Sequence, residues 1–403
     1  MKLTSEEKDM LAGKYGEGIA LAMEIQQAIG EAFEAERMVE ISRVHVALSN
    51  QEADLWFVEK LLKKGNKCRI SPTVNPPYNL EYFKNYIEFT QEEVDIIERT
   101  RKAYREIGAT LTYNCTPYLE NNIPRFKEVV AFSESSATPY INSIYGARTN
   151  RESAQSALCA AMTGRVPEYG LLLEENRRGQ VLVEVEAKIK SDFDYQLLGY
   201  TFPRMNDYHD TIPVFVGLPD KISSEALMNL GAQLNTAGAV SLYHIVGYTP
   251  EAPNIKAAFQ NHQPRNKMVI KDEDIQETYS SISDKKGEID FALFGCPHLT
   301  IKQIEQIVNV LGSRKFSVPF WVCVSNLTKS LARKMGYLDT IKSAGGHLVT
   351  ETCIDQPCWK FLSGKKGVTD SPKCAYYTKR RNMSFYIADL SRATEAAIKG
   401  ELR

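Results

Sequence analysis

The spacing of apolar positions changes repeatedly along the chain. Over residues 4–37 they recur at helical intervals through Ile19, Met23, Ile25, Ala28, Ile29 and Phe33, which predicts one or two helices. Thr4 or Ser5 can cap the start, and Glu6 and Glu7 fall in the first turn, where their charge suits the helix dipole. Residues 41–48 predict a strand, a helix follows over about 51–64 and stops at Gly65, and residues 67–71 predict a second strand. Two strands joined by a helix in this way form a parallel crossover.

The same alternation continues. A helix over about 91–107 ends at Gly108, strand-like residues 110–113 run into Cys115, and strand-like residues 128–132 run into Ser133-Glu134-Ser135-Ser136. Residues 139–163 read as helical and rich in small side chains, 181–188 and 213–217 as strands, 223–236 as a capped helix, and 239–248 as a strand. Residues 250–287 are polar, contain Pro250, Pro253 and Pro264, and read as a loop-rich surface excursion. A last series predicts strands at 289–294, 317–325 and 347–350, helices at 300–312 and 327–344, and a terminal helix from about 388. The fold class is therefore α/β with mostly parallel sheets in at least two lobes, roughly 1–165 and 289–403, with 166–288 as an approximate middle subdomain. Ligands of such sheets bind outside the carboxyl ends of the strands, where the Cys115 and Ser133–Ser136 segments fall.

Composition narrows the function classes. The chain has 403 residues, 43% hydrophobic and 25% charged, an ordinary globular balance. A net charge of −1 argues against a general nucleic-acid binder, which needs cations to neutralise phosphates. No apolar run reaches the roughly 18 residues of a membrane span, and the N-terminus turns polar at once, unlike a secretory signal. A cytoplasmic protein is expected, with no nucleic acid and no membrane as partner.

Eight cysteines stand at 68, 115, 159, 296, 323, 353, 358 and 374, with no Cys-x-x-Cys pair, so any metal site must be assembled from distant segments. Cys115, Cys296 and Cys353 each follow a predicted strand, and proline follows at or next to two of them. Cys159 and Cys323 read as core residues, Cys68 as part of a short strand, and Cys358 and Cys374 as loop residues. From pattern alone, the three strand-end thiols fit buried hydrophobes or metal ligands about equally well. Four thiolates saturate a 4Fe–4S cluster, whereas three leave one iron open to act as a Lewis acid.

The runs Cys115-Thr-Pro-Tyr-Leu, Ser133-Glu-Ser-Ser-Ala, Gly146-Ala-Arg-Thr-Asn-Arg, His244-Ile-Val-Gly-Tyr-Thr-Pro, Gly295-Cys-Pro-His-Leu and Thr352-Cys353 together resemble the aconitase X family, in order and over almost the whole chain. That resemblance implies an aconitase-like core of three α/β/α domains, lacking the swivelling domain. It implies a small partner subunit that carries the swivelling domain and supplies a catalytic serine. It also implies an iron–sulfur cluster (4Fe–4S or 2Fe–2S) or an iron ion on Cys115, Cys296 and Cys353. The reaction would be dehydration of a small hydroxy acid, either mevalonate 5-phosphate or cis-3-hydroxy-L-proline. An aconitase-like RNA-binding protein and a mononuclear metal hydro-lyase are the alternatives. The chain departs from the family's usual pattern at Glu351-Thr-Cys, at Thr369-Asp-Ser-Pro-Lys and at Cys374-Ala-Tyr-Tyr, near the expected site.

The resemblance also assigns roles. Arg148, whose planar fork suits a carboxylate, Ser135, Ser136 and His298 are the catalytic candidates. Asn75, Thr116, Ser133, Glu134, Arg148, Thr149, Asn150, Ser371 and Lys373 are the substrate-binding candidates. Each has a plainer reading: a salt bridge for Arg148, helix capping for the serines, a second hydrogen-bonding layer for His298, and a turn for Asn75. Lys365, Lys366, Lys379, Arg380 and Arg381 read as solvated charges.

Overall fold

A computed structural model describes residues 1–48, 52–205, 210–283 and 286–403. Three parallel sheets organise it. The first orders the strands Thr73–Val74, Val44–Val46 and Ala131–Phe132. The second orders His244–Ile245, Pro213–Val216, Val181–Val185 and Asn266–Ile270. The third runs Gly346–Val349, Phe320–Cys323, Phe291–Phe294, Lys366–Thr369 and Ser384–Ile387. Two short antiparallel pairs tie in chain ends: Met38–Glu40 with Arg165–Pro167, and Gly287–Glu288 with Glu401–Leu402.

Central strands of the third sheet are buried at every residue, because helices cover both faces of a parallel sheet. The helices Ile301–Leu311 and Leu390–Lys399 pack on one face over Ile304, Ile307, Ala393 and Ala397. The other face buries Leu293, Trp321 and Phe385 against Tyr78, Leu80 and Phe83, which come from the first unit. The first and third units thus share one apolar core.

Several predicted elements differ. Residues 67–71 form no strand, since Cys68 N–H bonds to Ile107 O and Ile70 N–H to Ala161 O, and pairing begins only at Thr73. Residues 110–113 make a single bridge, Thr73 to Thr110, before Tyr113 turns to φ 47°. Of 239–248 only His244–Ile245 pairs in the sheet. The polar stretch 250–287 holds the strand Asn266–Ile270 and the helix Asp272–Ile282, because the ladder to Val181–Val185 outweighs weak local propensity. The helix predicted over 327–344 is two, Asn326–Lys334 and Tyr337–Ser343, broken where Gly336 adopts φ 79°. The long helix Asp192–Met205, the strands Lys366–Thr369 and Ser384–Ile387 and the short helix Pro372–Thr378, which contains Cys374, are additional to the sequence reading.

Candidate active site

A cavity of about 710 Å³ opens between the first and third units at the carboxyl ends of their strands. One wall carries Asn75, Cys115, Ser133, Glu134, Ser135 and Arg151. The other carries Cys296, His298, Cys353, Lys373, Arg380 and Arg381, with Asp355 and Tyr377 beside them.

Each of the three cysteines is anchored by other segments. Asn114 N–H bonds to Val74 O, and its side chain accepts from Thr116 N and Oγ1 at 2.9 Å, so the turn through Cys115 is fixed on both sides. Cys115 Sγ accepts the His298 N–H at 3.3 Å. Cys296 precedes a cis proline, and its carbonyl accepts from Ser371 Oγ at 2.6 Å. The Cys353 carbonyl accepts from Trp359 Nε1 at 3.1 Å, its N–H donates to Pro77 O, and its Sγ accepts from Asp355 N–H at 3.4 Å. Burial pushes all three thiols up, Cys353 to about 12. A metal that replaces those protons would relieve this cost. Among the described residues no three His, Cys, Asp or Glu side chains are arranged to grip one ion. The three thiols line one cavity and, once deprotonated, form a donor set that could hold an iron–sulfur cluster or an iron ion.

Glu134 lies behind these thiols. Its carboxylate accepts from Asn75 Nδ2 at 2.5 Å, from Ser136 N–H at 3.1 Å and from Ser135 Oγ at 3.1 Å, and the Lys373 ammonium stands 3.6 Å away. Burial alone would raise the carboxyl, but Lys373 and these donors outweigh it and hold Glu134 below the usual range. Lys373 Nζ donates to Ser135 Oγ at 2.9 Å. Asn75 Oδ1 lies 2.7 Å from His45 Nε2, and His45 Nδ1 lies 2.8 Å from Thr73 Oγ1. Burial lowers His45 to about 4, so it is neutral at pH 7 and Nε2–H donates to Asn75. His45–Asn75–Glu134–Lys373 is thus a continuous polar chain into the cavity. His45 was missed because it reads as one more residue of an apolar strand.

Of the residues singled out from sequence, the cavity gathers Cys115, Cys296, Cys353, Asn75, Ser133, Glu134, Ser135, His298 and Lys373. It does not gather the others. Arg148 donates to Leu172 O and pairs with Glu174, the salt-bridge alternative, and the cavity arginine of that segment is Arg151. Thr149 and Asn150 spend their side chains on Asn150 O, Phe132 N–H, Tyr169 O and Leu171 N–H. Ser136 bonds to Cys115 O, Thr116 to Asn114, and Ser371 to Cys296 O, so these three shape the cysteine turns. The departures in the family pattern lie behind the wall: Glu351 faces Arg101 at 3.9 Å, and Asp370 and Cys374 are buried. Arg380 and Arg381 line the cavity; Arg380 remains solvated, its side chain 59% exposed, whereas Arg381 is half-buried.

Fold and site together define an α/β enzyme with its active cleft at the strand ends between two units, lined by three thiols. The chain matches the models of the aconitase X first domain over 1–175, second domain over 179–280 and third domain over 289–399. It belongs to the aconitase X family, and is a dehydratase of the hydro-lyase class. It is 34% identical to the phosphomevalonate dehydratase large subunit of Thermococcus kodakarensis, over 98% of this chain and 100% of that protein. It is 36% identical to the protein of that name from Methanothermobacter thermautotrophicus, over 93% of each. With the cis-3-hydroxy-L-proline dehydratase of Pseudomonas aeruginosa it shares 30% identity, over 99% of this chain and 70% of that protein. The crystal structure of Thermococcus kodakaraensis aconitase X in its holo form superposes with a TM-score of 0.88 at 32% identity, covering 98% of this chain and 100% of that one. Among the described residues no helix is long and apolar enough to cross a membrane.

Proposed function

We propose that this chain is the large, catalytic subunit of a two-subunit dehydratase acting on mevalonate 5-phosphate, with an iron–sulfur cluster on Cys115, Cys296 and Cys353. The observation that carries the substrate is the charge of the cavity: Arg151, Lys373, Arg380 and Arg381 line it against the carboxylates of Glu134 and Asp355. A hydroxyproline brings a carboxylate and an ammonium, with no net charge to match that surplus. A phosphorylated hydroxy acid brings a carboxylate and a phosphate of about −1.5 to −2, which does. The full-length match to proteins named large subunits supports a separate small partner, and resemblance to the family assigns that partner the catalytic serine that removes the α-proton.

When bound, the cluster would supply an electron-poor iron that makes a substrate hydroxyl a better leaving group. Arg151, whose side chain has no hydrogen bond or ion pair among the described residues, holds the carboxylate through its planar fork. Lys373, fixed by Glu134 and Ser135, keeps its ammonium on the cavity and stabilises negative charge that develops there. Asn75, gripped by His45, holds the Glu134 carboxylate in place and so preserves the Lys373 charge.

Anaerobic co-purification with the small subunit, iron and acid-labile sulfide analysis, and dehydration assays on both hydroxy acids test this reading. Iron with sulfide and turnover of mevalonate 5-phosphate are expected. Iron without sulfide would replace the cluster by a single ion. Each of Cys115→Ser, Cys296→Ser and Cys353→Ser should lower iron content and cut kcat by about 10³-fold or more, given what a catalytic metal contributes. Full activity in the triple variant would overturn the assignment.

A further inference from the structure

The third-unit wall ends in two guanidinium groups and a carboxylate that the steps above do not use. Arg380 Nη2 donates to Asp355 Oδ2 at 2.6 Å, and Arg381 Nη2 donates to the main-chain carbonyl of Asp355 at 2.5 Å. Asp355 Oδ1 and Arg381 Nε are both buried without a hydrogen-bond partner. A buried donor and a buried acceptor left open in one small cluster are uncommon in a finished structure. They mark an arrangement that another group completes. Asp355 brings one negative charge against two guanidinium groups, its carboxylate bonded only to Arg380, so the cluster keeps positive charge facing the cavity. Asp355 N–H also bonds to Cys353 Sγ, which sets the cluster beside the thiols.

We propose that Arg380 and Arg381 form the subsite for the substrate's phosphate, with Asp355 as the internal counter-ion that holds them until it binds. The inference rests on the substrate reading above. Phosphate has the charge and the number of oxygens to engage two planar forks at once, which one carboxylate lacks. It therefore displaces Asp355 from Arg380. Arg151, on the opposite wall, is left for the substrate carboxylate. The distance between the two cationic walls then selects a hydroxy acid with an anionic group at each end.

The test uses the reconstituted two-subunit holoenzyme with mevalonate 5-phosphate as substrate and inorganic phosphate as inhibitor. R380A and R381A should each raise KM and the phosphate inhibition constant together by roughly 10- to 100-fold, as expected for loss of a charged hydrogen bond, with a smaller change in kcat and unchanged iron. R381K, which keeps the charge and loses the fork, should fall between R381A and the parent. D355N should lower both constants, a gain that a merely structural role for Asp355 would not produce. Unchanged KM and phosphate inhibition in R380A and R381A would overturn the subsite. If the parent enzyme does not turn over mevalonate 5-phosphate, the substrate reading fails separately. The subsite is then decided by thermal unfolding in inorganic phosphate: a rise in Tm that R381A abolishes supports it, and an equal rise or none overturns it.

Discussion

Asp370 stands between Thr369, the last residue of a central strand, and Ser371, which holds the Cys296 carbonyl. Its carboxyl is 4% exposed, and Oδ1 has no hydrogen-bond partner. Burial, with repulsion from Asp389 added, pushes it up to about 7. In the unfolded chain an aspartate titrates near 3.9. Below about pH 4 both states are protonated and no cost arises. Between about 4 and 7 the unfolded chain releases a proton that the native state keeps, so stability falls as pH rises, and above 7 the penalty is constant. Asp370→Asn removes it. The variant should match the parent in urea unfolding at pH 4 and exceed it at pH 8, by on the order of a few kcal/mol. Equal stability at both pH values would show that water or rearrangement satisfies the carboxylate. The residue scale is also where the reading of the site divides. The gathering of Cys115, Cys296, Cys353, Glu134 and Lys373 in one cavity was legible from the motifs, whereas Arg148 and Arg151 lie three positions apart in one motif and only their partners tell them apart.

Gly295 shows what the strand–turn element requires. It follows the strand Phe291–Phe294 with φ 104°, and a β-carbon there would collide with the Cys323 carbonyl of the neighbouring strand. The turn that points Cys296 into the cavity therefore needs glycine at this position. Gly295→Ala should leave a folded protein with less iron and a stability loss of about 1–3 kcal/mol, within the cost of such strain. Circular dichroism, urea unfolding and iron analysis would measure both. The long apolar strands, such as Phe291–Phe294 and Phe320–Cys323, were legible because sheet and sequence ask for the same residues. Elements that failed were short or polar. The strand Asn266–Ile270 is exposed at its start and owes its form to a neighbour. Residues 67–71 have strand-like side chains but find no partner strand, because their N–H groups turn to Ile107 and Ala161.

Trp359 joins the units at the scale of the whole molecule. It is fully buried, packs edge-on to Phe83 of the first unit with ring centroids 4.8 Å apart, and donates to the Cys353 carbonyl. Trp359→Ala should destabilise the chain by roughly 3–5 kcal/mol through the cavity left behind. Trp359→Phe keeps most of the packing and loses the donor, so it should cost less stability while still reducing iron content. Equal iron content in Trp359→Phe and the parent would remove this indole from the positioning of Cys353. Arg177, 1% exposed, plays a similar joining part: it pairs with Glu251 and donates to the carbonyls of Asn142 and Leu171. Breaking that buried pair with Arg177→Met should cost about 3–5 kcal/mol, because Glu251 is left without its partner. Urea unfolding of the variant would measure it.

Residue order alone determined the α/β class with its mostly parallel sheets, the strand-end positions of three cysteines and the family. Those follow from periodicity and from motifs, which are local properties of the chain. Tertiary structure decided which polar groups face the cavity and which are consumed by partners. It turned Arg148, Thr149 and Asn150 away, set Arg380 and Arg381 along the cavity, and linked His45 to Lys373 through Asn75 and Glu134. The physical reason is that a buried polar side chain goes where its hydrogen bonds are met, and those partners come from strands and loops far away in sequence.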